Sequence, residues 1–163
     1  MLNLEHINSK LYSLSEIKIK SDKWKSNREK IVFTNGCFDI LHQGHIEMLA
    51  RTADLGTKLI VGLNSDISIK KIKGKKRPII KQNSRAILLA SLRFVDAVVL
   101  FSEETPINLI STLKPNILAK GGDYEISTIV GHKVINENGG QVILVPFVDG
   151  FSSTTIIDKI KNS

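Results

Sequence analysis

The stretch Thr34-Asn35-Gly36-Cys37-Phe38-Asp39-Ile40-Leu41-His42-Gln43-Gly44-His45 follows the apolar run Ile31-Val32-Phe33 and opens a helical pattern. It puts two imidazoles three residues apart where a strand gives way to a helix. Residues at i and i+3 share one face of a helix, so His42 and His45 point together at whatever occupies the carboxyl end of the strand. Gly36 and Gly44 let a ligand approach the backbone closely. The segment reads as an anion site with proton donors.

Outward from it the same alternation recurs. Residues 31–34 read as a first strand and 45–55 as a helix with Ile46, Leu49, Ala50 and Ala53 inward and Gly56 as C-cap. Residues 58–63 give a second strand. After a basic stretch, Asn83 or Ser84 caps a helix carrying Ile87, Leu88 and Leu92. Residues 97–101 give a third strand, and Thr105-Pro106 starts a helix through Leu113, with proline in its first turn. Residues 116–119 form a fourth strand and 141–145 a fifth. Between them a helical pattern through Ile129, Val134 and Ile135 ends at Gly139-Gly140, and a last helix begins at Ser152 or Ser153. Five nearly all-apolar strands separated by helices predict an α/β fold, a five-stranded parallel sheet with helices on both faces. Residues 1–29 stand apart as an N-terminal helical extension, in which Leu4, Ile7, Leu11 and Leu14 recur at helical spacing. Such a segment packs on the domain, residues 30–163, or on a second copy of the chain, so a homodimer is one expectation. Glu5 and Glu16 interrupt its polar face, which disfavours membrane contact.

Composition narrows the function classes. A chain of 163 residues with 42% hydrophobic and 24% charged residues is most simply one globular domain. Its apolar runs fall far short of the roughly 20 residues that span a bilayer. The amino terminus has no signal-peptide pattern, so a cytoplasmic location is expected. The one cysteine, Cys37, makes no intramolecular disulfide, and His6 and His132 are too scattered to complete a metal site with it. The net charge of +7 is concentrated: six of the eight residues from Lys70 to Arg77 are basic. No aromatic residue between Phe38 and Phe94 is available to stack on bases. A phosphorylated small molecule therefore fits better than nucleic acid.

In open parallel sheets ligands bind outside the carboxyl ends of the strands. Those ends deliver residues 34–45, then Asn64-Ser65-Asp66 and the basic run, then Lys120-Gly121-Gly122-Asp123-Tyr124, then Pro146 to Ser152 with Ser153-Thr154-Thr155. All the polar, glycine-rich and cationic segments fall on one edge. A helix amino terminus bearing serines adds N–H groups and a favourable dipole for phosphate.

With the late Ser152-Ser153-Thr154-Thr155, the segment from Thr34 to His45 resembles the nucleotidyltransferase superfamily that carries an HxGH signature and a terminal serine/threonine segment. Within it the chain is most similar to the heptose 1-phosphate adenylyltransferases. The matching stretches also include Asn64-Ser65-Asp66, Lys73-Gly74, Arg77-Pro78, Asp96, Thr105-Pro106, Lys120 to Tyr124 and Asp149-Gly150, in order across residues 30–160. The resemblance implies a single Rossmann-like domain that transfers AMP from ATP, carried with Mg²⁺, to a heptose 1-phosphate. The products would be ADP-heptose, for the lipopolysaccharide core of bacterial surface polysaccharide, and pyrophosphate. It implies catalytic roles for His42, His45 and Lys73, and nucleotide contacts from Thr34, Asn35, Gly36, Cys37, Phe38, Asp39, Gly44, Lys120, Gly121, Asp123, Phe147, Gly150, Ser152, Ser153 and Thr154. Asn64, Asp66, Arg77, Arg85 and Lys120 are expected on the sugar phosphate. Asp39 is further expected to fix the turn after the first strand through backbone N–H groups.

No protein nucleophile is needed, because the acceptor phosphate is already an anion, so Cys37 reads as packing. Cytidylyltransferases for glycerol 3-phosphate carry R-T-x-G-I before the final serines and threonines, where this chain reads Val148-Asp149-Gly150-Phe151. The missing arginine favours the adenylyl branch over the alternative, a cytidylyltransferase for glycerol 3-phosphate or a similar alcohol. A non-catalytic nucleotide- or nucleic-acid-binding module is the second alternative. Residues 1–29 are too short to be a kinase, so a separate heptose kinase is expected upstream.

Overall fold

In a computed structural model, which describes residues 2–146 and 150–162, the chain runs α1 (Asn3–Asn8), β1 (Leu11–Tyr12), α2 (Leu14–Ser26), β2 (Ile31–Gly36), α3 (Gln43–Ala53), β3 (Lys58–Asn64), α4 (Asp66–Lys73) and α5 (Gln82–Ala90). It continues through β4 (Ala97–Phe101), α6 (Ile107–Leu113), β5 (Ile117–Gly121), a 3₁₀ turn at Ile126–Thr128, α7 (His132–Glu137), β6 (Gln141–Val145) and α8 (Ser153–Lys161). All strand pairs are parallel, in the order β1-β4-β3-β2-β5-β6. The sheet is thus the expected parallel one, with six strands rather than five.

The sixth strand comes from the N-terminal extension. Its apolar spacing suggested one helix, but Ser13 and Glu16 form a reciprocal capping box that starts a new helix at Leu14. Leu11 and Tyr12 then fall outside both helices and pair with Val98 and Val99 at the sheet edge. Ile17 and Trp24 of α2 pack with Ile31, Phe33, Ile60 and Leu113 in one apolar cluster, so the extension shares the core of the rest of the chain. A second cluster, including Val32, Leu49, Val61 and Leu89, fills the other face of the sheet. Burying both faces explains why the strands are nearly continuously apolar.

Four local expectations shift. The first part of the basic run is helical, because Ser65 caps α4 by accepting from Ser68 N, and Gly74 ends it at φ +89°. Helix α5 starts at Gln82, two or three residues earlier than a cap at Asn83 or Ser84 would allow, and Gln82 Oε1 accepts from Asp66 N at 2.9 Å. Gly56 does not cap α3, whose C-cap is Asp54. A Cβ at Gly56 would lie 2.5 Å from the Lys30 carbonyl oxygen, so its missing side chain admits close approach of the chain before β2. Of the residues expected on the inward face of α3, Leu49 is fully buried and Ala53 packs against the core, while Gly44, Met48 and Thr52 complete that face.

The topology positions a site. From β2 the chain steps outward through β3 and β4, then crosses to the other side for β5 and β6. Strand β2 pairs with β3 along its full length to Gly36, yet with β5 only at Val32 and Phe33. Beyond that point no β2–β5 ladder pairs Asn35 and Gly36 with Lys120 and Gly121, and a crevice opens at the topological switch point.

Candidate active site

The switch point is lined from its floor upward. Thr34, Asn35 and Gly36 end β2, and Phe38 follows at φ +44°, a left-handed conformation that is costly for a bulky residue. Gly36 makes this turn feasible: a Cβ there would sit 2.9 Å from the Phe38 ring. The Phe38 ring packs edge-on to His45 at 5.2 Å.

His42 is the N-cap of α3, and its Nδ1 accepts from His45 N at 3.4 Å. An accepting Nδ1 leaves the proton of neutral imidazole on Nε2, a donor aimed away from the helix. The two rings stack with centroids 3.7 Å apart. Burial holds the His42 pKa below its ordinary value. His45 is pushed down to about 4, by burial first and then by the nearby cationic positions of His42 and Lys73. Its Nδ1 is buried and completes no hydrogen bond among the described residues. Both rings are therefore neutral donors at neutral pH.

Three adjoining cavities follow the strand ends. The central one, about 390 Å³, is lined by residues 34–39 with His45, Asn64, Lys73, Lys120, Gly121 and Ser153. A second, about 430 Å³, shares His45, Lys73 and Ser153 with it and adds His42, Gly44, Gly150, Ser152 and Thr154. The third, about 310 Å³, shares Asn35, Asn64, Lys120 and Tyr124 with the central cavity. At the start of α8, Ser152 Oγ accepts from Thr155 N at 3.0 Å and Ser153 Oγ donates to the Ile40 carbonyl at 3.3 Å. The amino terminus of α8 is thereby tied to the turn before His42. Lys120 Nζ lies 3.4 Å from Asn35 Oδ1, and burial lowers its pKa.

Other expected site residues have different surroundings. Arg85 is 1% exposed and donates to the carbonyls of Ile80, Cys37 and Asn64 and to Asp66 Oδ1, at 2.6–2.9 Å. Arg85 and Asp66 are thus paired with each other, and the burial of Arg85 is invisible in a linear pattern. Arg77 is likewise committed: its Nε lies 2.6 Å from Asp39 Oδ2, with both side chains largely buried. Asp39 Oδ1 accepts from Ile79 N and Ile80 N, so it does hold backbone N–H groups, but those of the chain before α5 rather than of its own turn. Asn64 Nδ2 donates to Ser68 Oγ at 2.9 Å. Asp123 is exposed and lines none of these three cavities, and Phe147 lies outside the described residues. Sequence reasoning missed Met48, Ile72 and Phe151, which line the cavities as apolar walls. Phe151 also stacks on His42 at 6.3 Å, and a Cβ at Gly44 would lie 2.9 Å from Phe151 Cβ.

Residues 33–159 match the cytidylyltransferase-like family. The chain belongs to that family. It carries a nucleotidyltransferase domain. It is 53% identical over 136 residues to the bifunctional protein HldE of Geobacter sulfurreducens, covering 83% of this chain and 28% of that protein. With HldE of Campylobacter concisus it shares 51% identity over 162 residues, 99% of this chain and 32% of the relative. The chain thus spans about a third of the length of these relatives. The crystal structure of the lipopolysaccharide core biosynthesis protein from Thermoplasma volcanium is 32% identical, covering 74% of this chain and 97% of that one, with a TM-score of 0.59. Pantoate-beta-alanine ligase from Francisella tularensis, solved with beta-gamma ATP and beta-alanine, superposes with a TM-score of 0.63. At 16% identity, over 94% of this chain and 78% of the ligase, that likeness shows the fold alone. No helix among the described residues is long and apolar enough to cross a membrane.

Proposed function

We propose that this chain is an adenylyltransferase that moves AMP from ATP, entering with Mg²⁺, to a heptose 1-phosphate, giving ADP-heptose for bacterial lipopolysaccharide core. One observation carries the reading: the stacked His42 and His45 converge with Lys73 and the α8 amino terminus on the crevice where β2 and β5 part. The triphosphate lies along this wall. His45, shared by the two cavities, donates to the α-phosphate, while His42 Nε2, Lys73 and the N–H groups at Ser153 and Thr154 hold the β- and γ-phosphates. A phosphate oxygen of the acceptor forms a bond to Pα as the bond from Pα to the bridging oxygen breaks. The electron pair leaves with pyrophosphate, shielded by the accompanying Mg²⁺. The acceptor is already an anion, so the protein's task is positioning and charge stabilisation rather than proton abstraction. Low histidine pKa values suit this: neutral donors await the triphosphate, and its negative charge favours their protonation as charge moves onto the leaving group.

Val148-Asp149-Gly150-Phe151 lacks the arginine of the cytidylyl relatives, which supports ATP over CTP. A kinase-class reaction must supply the heptose phosphate. Pyrophosphate release measured with ATP or CTP against heptose 1-phosphate and glycerol 3-phosphate tests the reading. Release with ATP and heptose 1-phosphate is expected, and preference for CTP with glycerol 3-phosphate would replace it.

A further inference from the structure

Resting on the adenylyl-transfer reading, we propose that the cavity of about 310 Å³ beside the ends of β4 and β5 is the acceptor subsite, where Glu104, Thr105 and Tyr124 select a polyhydroxylated phosphate. The reaction's geometry leads there. In-line displacement at phosphorus puts the attacking and leaving oxygens on opposite sides of Pα. The groups suited to the leaving pyrophosphate, His42, Lys73 and the α8 amino terminus, all border one side of the central cavity. The acceptor must then arrive from the other side, where the wall is shared with the third cavity through Asn35, Asn64, Lys120 and Tyr124.

The charges agree. Arg77 and Arg85 are spent on Asp39 and Asp66, whereas among the described residues Lys120 has no carboxylate partner, only the long contact to Asn35. Lys120 stands at the passage between the two cavities, where the acceptor's phosphate must sit to reach Pα. The rest of the acceptor then projects into the third cavity. Its volume is at the small end of ligand pockets, suited to one monosaccharide. Its rim offers a carboxylate from Glu104 and hydroxyls from Thr105 and Tyr124, and among the described residues none of these side chains is engaged in a hydrogen bond. Pro106, Leu118 and Ile129 supply an apolar floor. Free acceptors and donors over an apolar floor match a sugar, which presents hydroxyls at its edge and C–H groups on its face. Glu104 accepts from sugar hydroxyls as only a carboxylate can, through several lone pairs at once.

Initial-rate kinetics on Glu104→Gln and Tyr124→Phe test this, with heptose 1-phosphate and ATP varied in turn. Both residues are exposed at the rim, so unfolding midpoints should not move. Each variant should raise KM for heptose 1-phosphate on the order of tenfold, as expected for one lost hydrogen bond to a charged or desolvated partner, leaving kcat within about threefold. KM for ATP should stay within about twofold, since the triphosphate is held on the other side of the central cavity. An unchanged sugar-phosphate KM overturns the subsite, as does a rise shared equally by ATP. Wild-type protein that releases no pyrophosphate from ATP and heptose 1-phosphate overturns the adenylyl-transfer reading itself, an outcome distinct from active wild type with insensitive variants.

Discussion

Two polar clusters flank the turn after β2, and they differ in one respect. Around Asp39, Arg77, Asp66 and Arg85, charges are paired, with Asp39 and Arg85 buried: Arg85 makes four hydrogen bonds and Asp39 three polar contacts. Around His42, His45, Lys73 and Lys120, donors converge on open cavities with few partners of their own. Buried charges are retained where they are paired, because an unpaired one costs its desolvation. The first cluster is scaffold, fixing the ends of β2 and β3 and the chain before α5 against each other. The second keeps its hydrogen-bonding capacity for a ligand.

The contrast is sharpest at Arg85. Arg85→Ala should cost about 3–5 kcal/mol of unfolding free energy in a urea titration, since it leaves the carbonyls of Cys37, Asn64 and Ile80 and the Asp66 carboxylate without their guanidinium. A loss below about 1 kcal/mol would mean that the buried cluster does not hold the fold. His45→Ala should do the reverse: turnover falls by about two to three orders of magnitude, as for one preorganised donor, with the unfolding midpoint nearly unchanged. Normal turnover would remove His45 from the chemistry. Lys73→Gln is the milder case, with KM for ATP rising about tenfold and stability unaffected; an ATP KM equal to wild type would return Lys73 to the solvated face of α4.

A pH dependence sharpens the comparison further. The folded protein holds His45 near pKa 4, against an ordinary 6.5. Between those values the unfolded chain binds a proton that the folded chain does not, so stability rises with pH across the window and is lost on acidification. His42, also shifted down by burial, adds in the same direction. Urea titrations from pH 6.5 to 4.5 should show this loss, and His45→Gln should flatten it. By NMR the His45 ring should titrate near 4 in the free protein and at a higher pH with ATP bound. An ATP-independent midpoint would separate the histidine from the phosphates.

Much of this was legible in the chain itself. The HxGH spacing, the apolar strands and the serines before the last helix are local patterns, and local patterns survive in one dimension. What was not legible is long-range pairing. A basic run and an arginine carry no mark of burial, so the sequence does not show that Arg77 and Arg85 pair with Asp39 and Asp66. Their partners are 38 and 19 residues away, and only packing brings them together. Leu11 and Tyr12 fit a helical period with Leu4, Ile7 and Leu14, but the capping box at Ser13 and Glu16 outweighs that period and restarts the helix. That Glu104 and Thr105 line the third cavity is not readable from the chain, since nothing in the sequence says that the loop after β4 faces the end of β5.

By itself the sequence determined that a parallel α/β sheet gathers its polar and cationic segments on one edge, with two histidines at its first strand-to-helix turn. Periodicity and turn chemistry suffice for that, because each element is specified by its own residues and their near neighbours. Only the tertiary structure decided which charges on that edge are free. Whether an ionic side chain is scaffold or ligand depends on what surrounds it in space, and folding sets those surroundings by joining residues the chain keeps far apart.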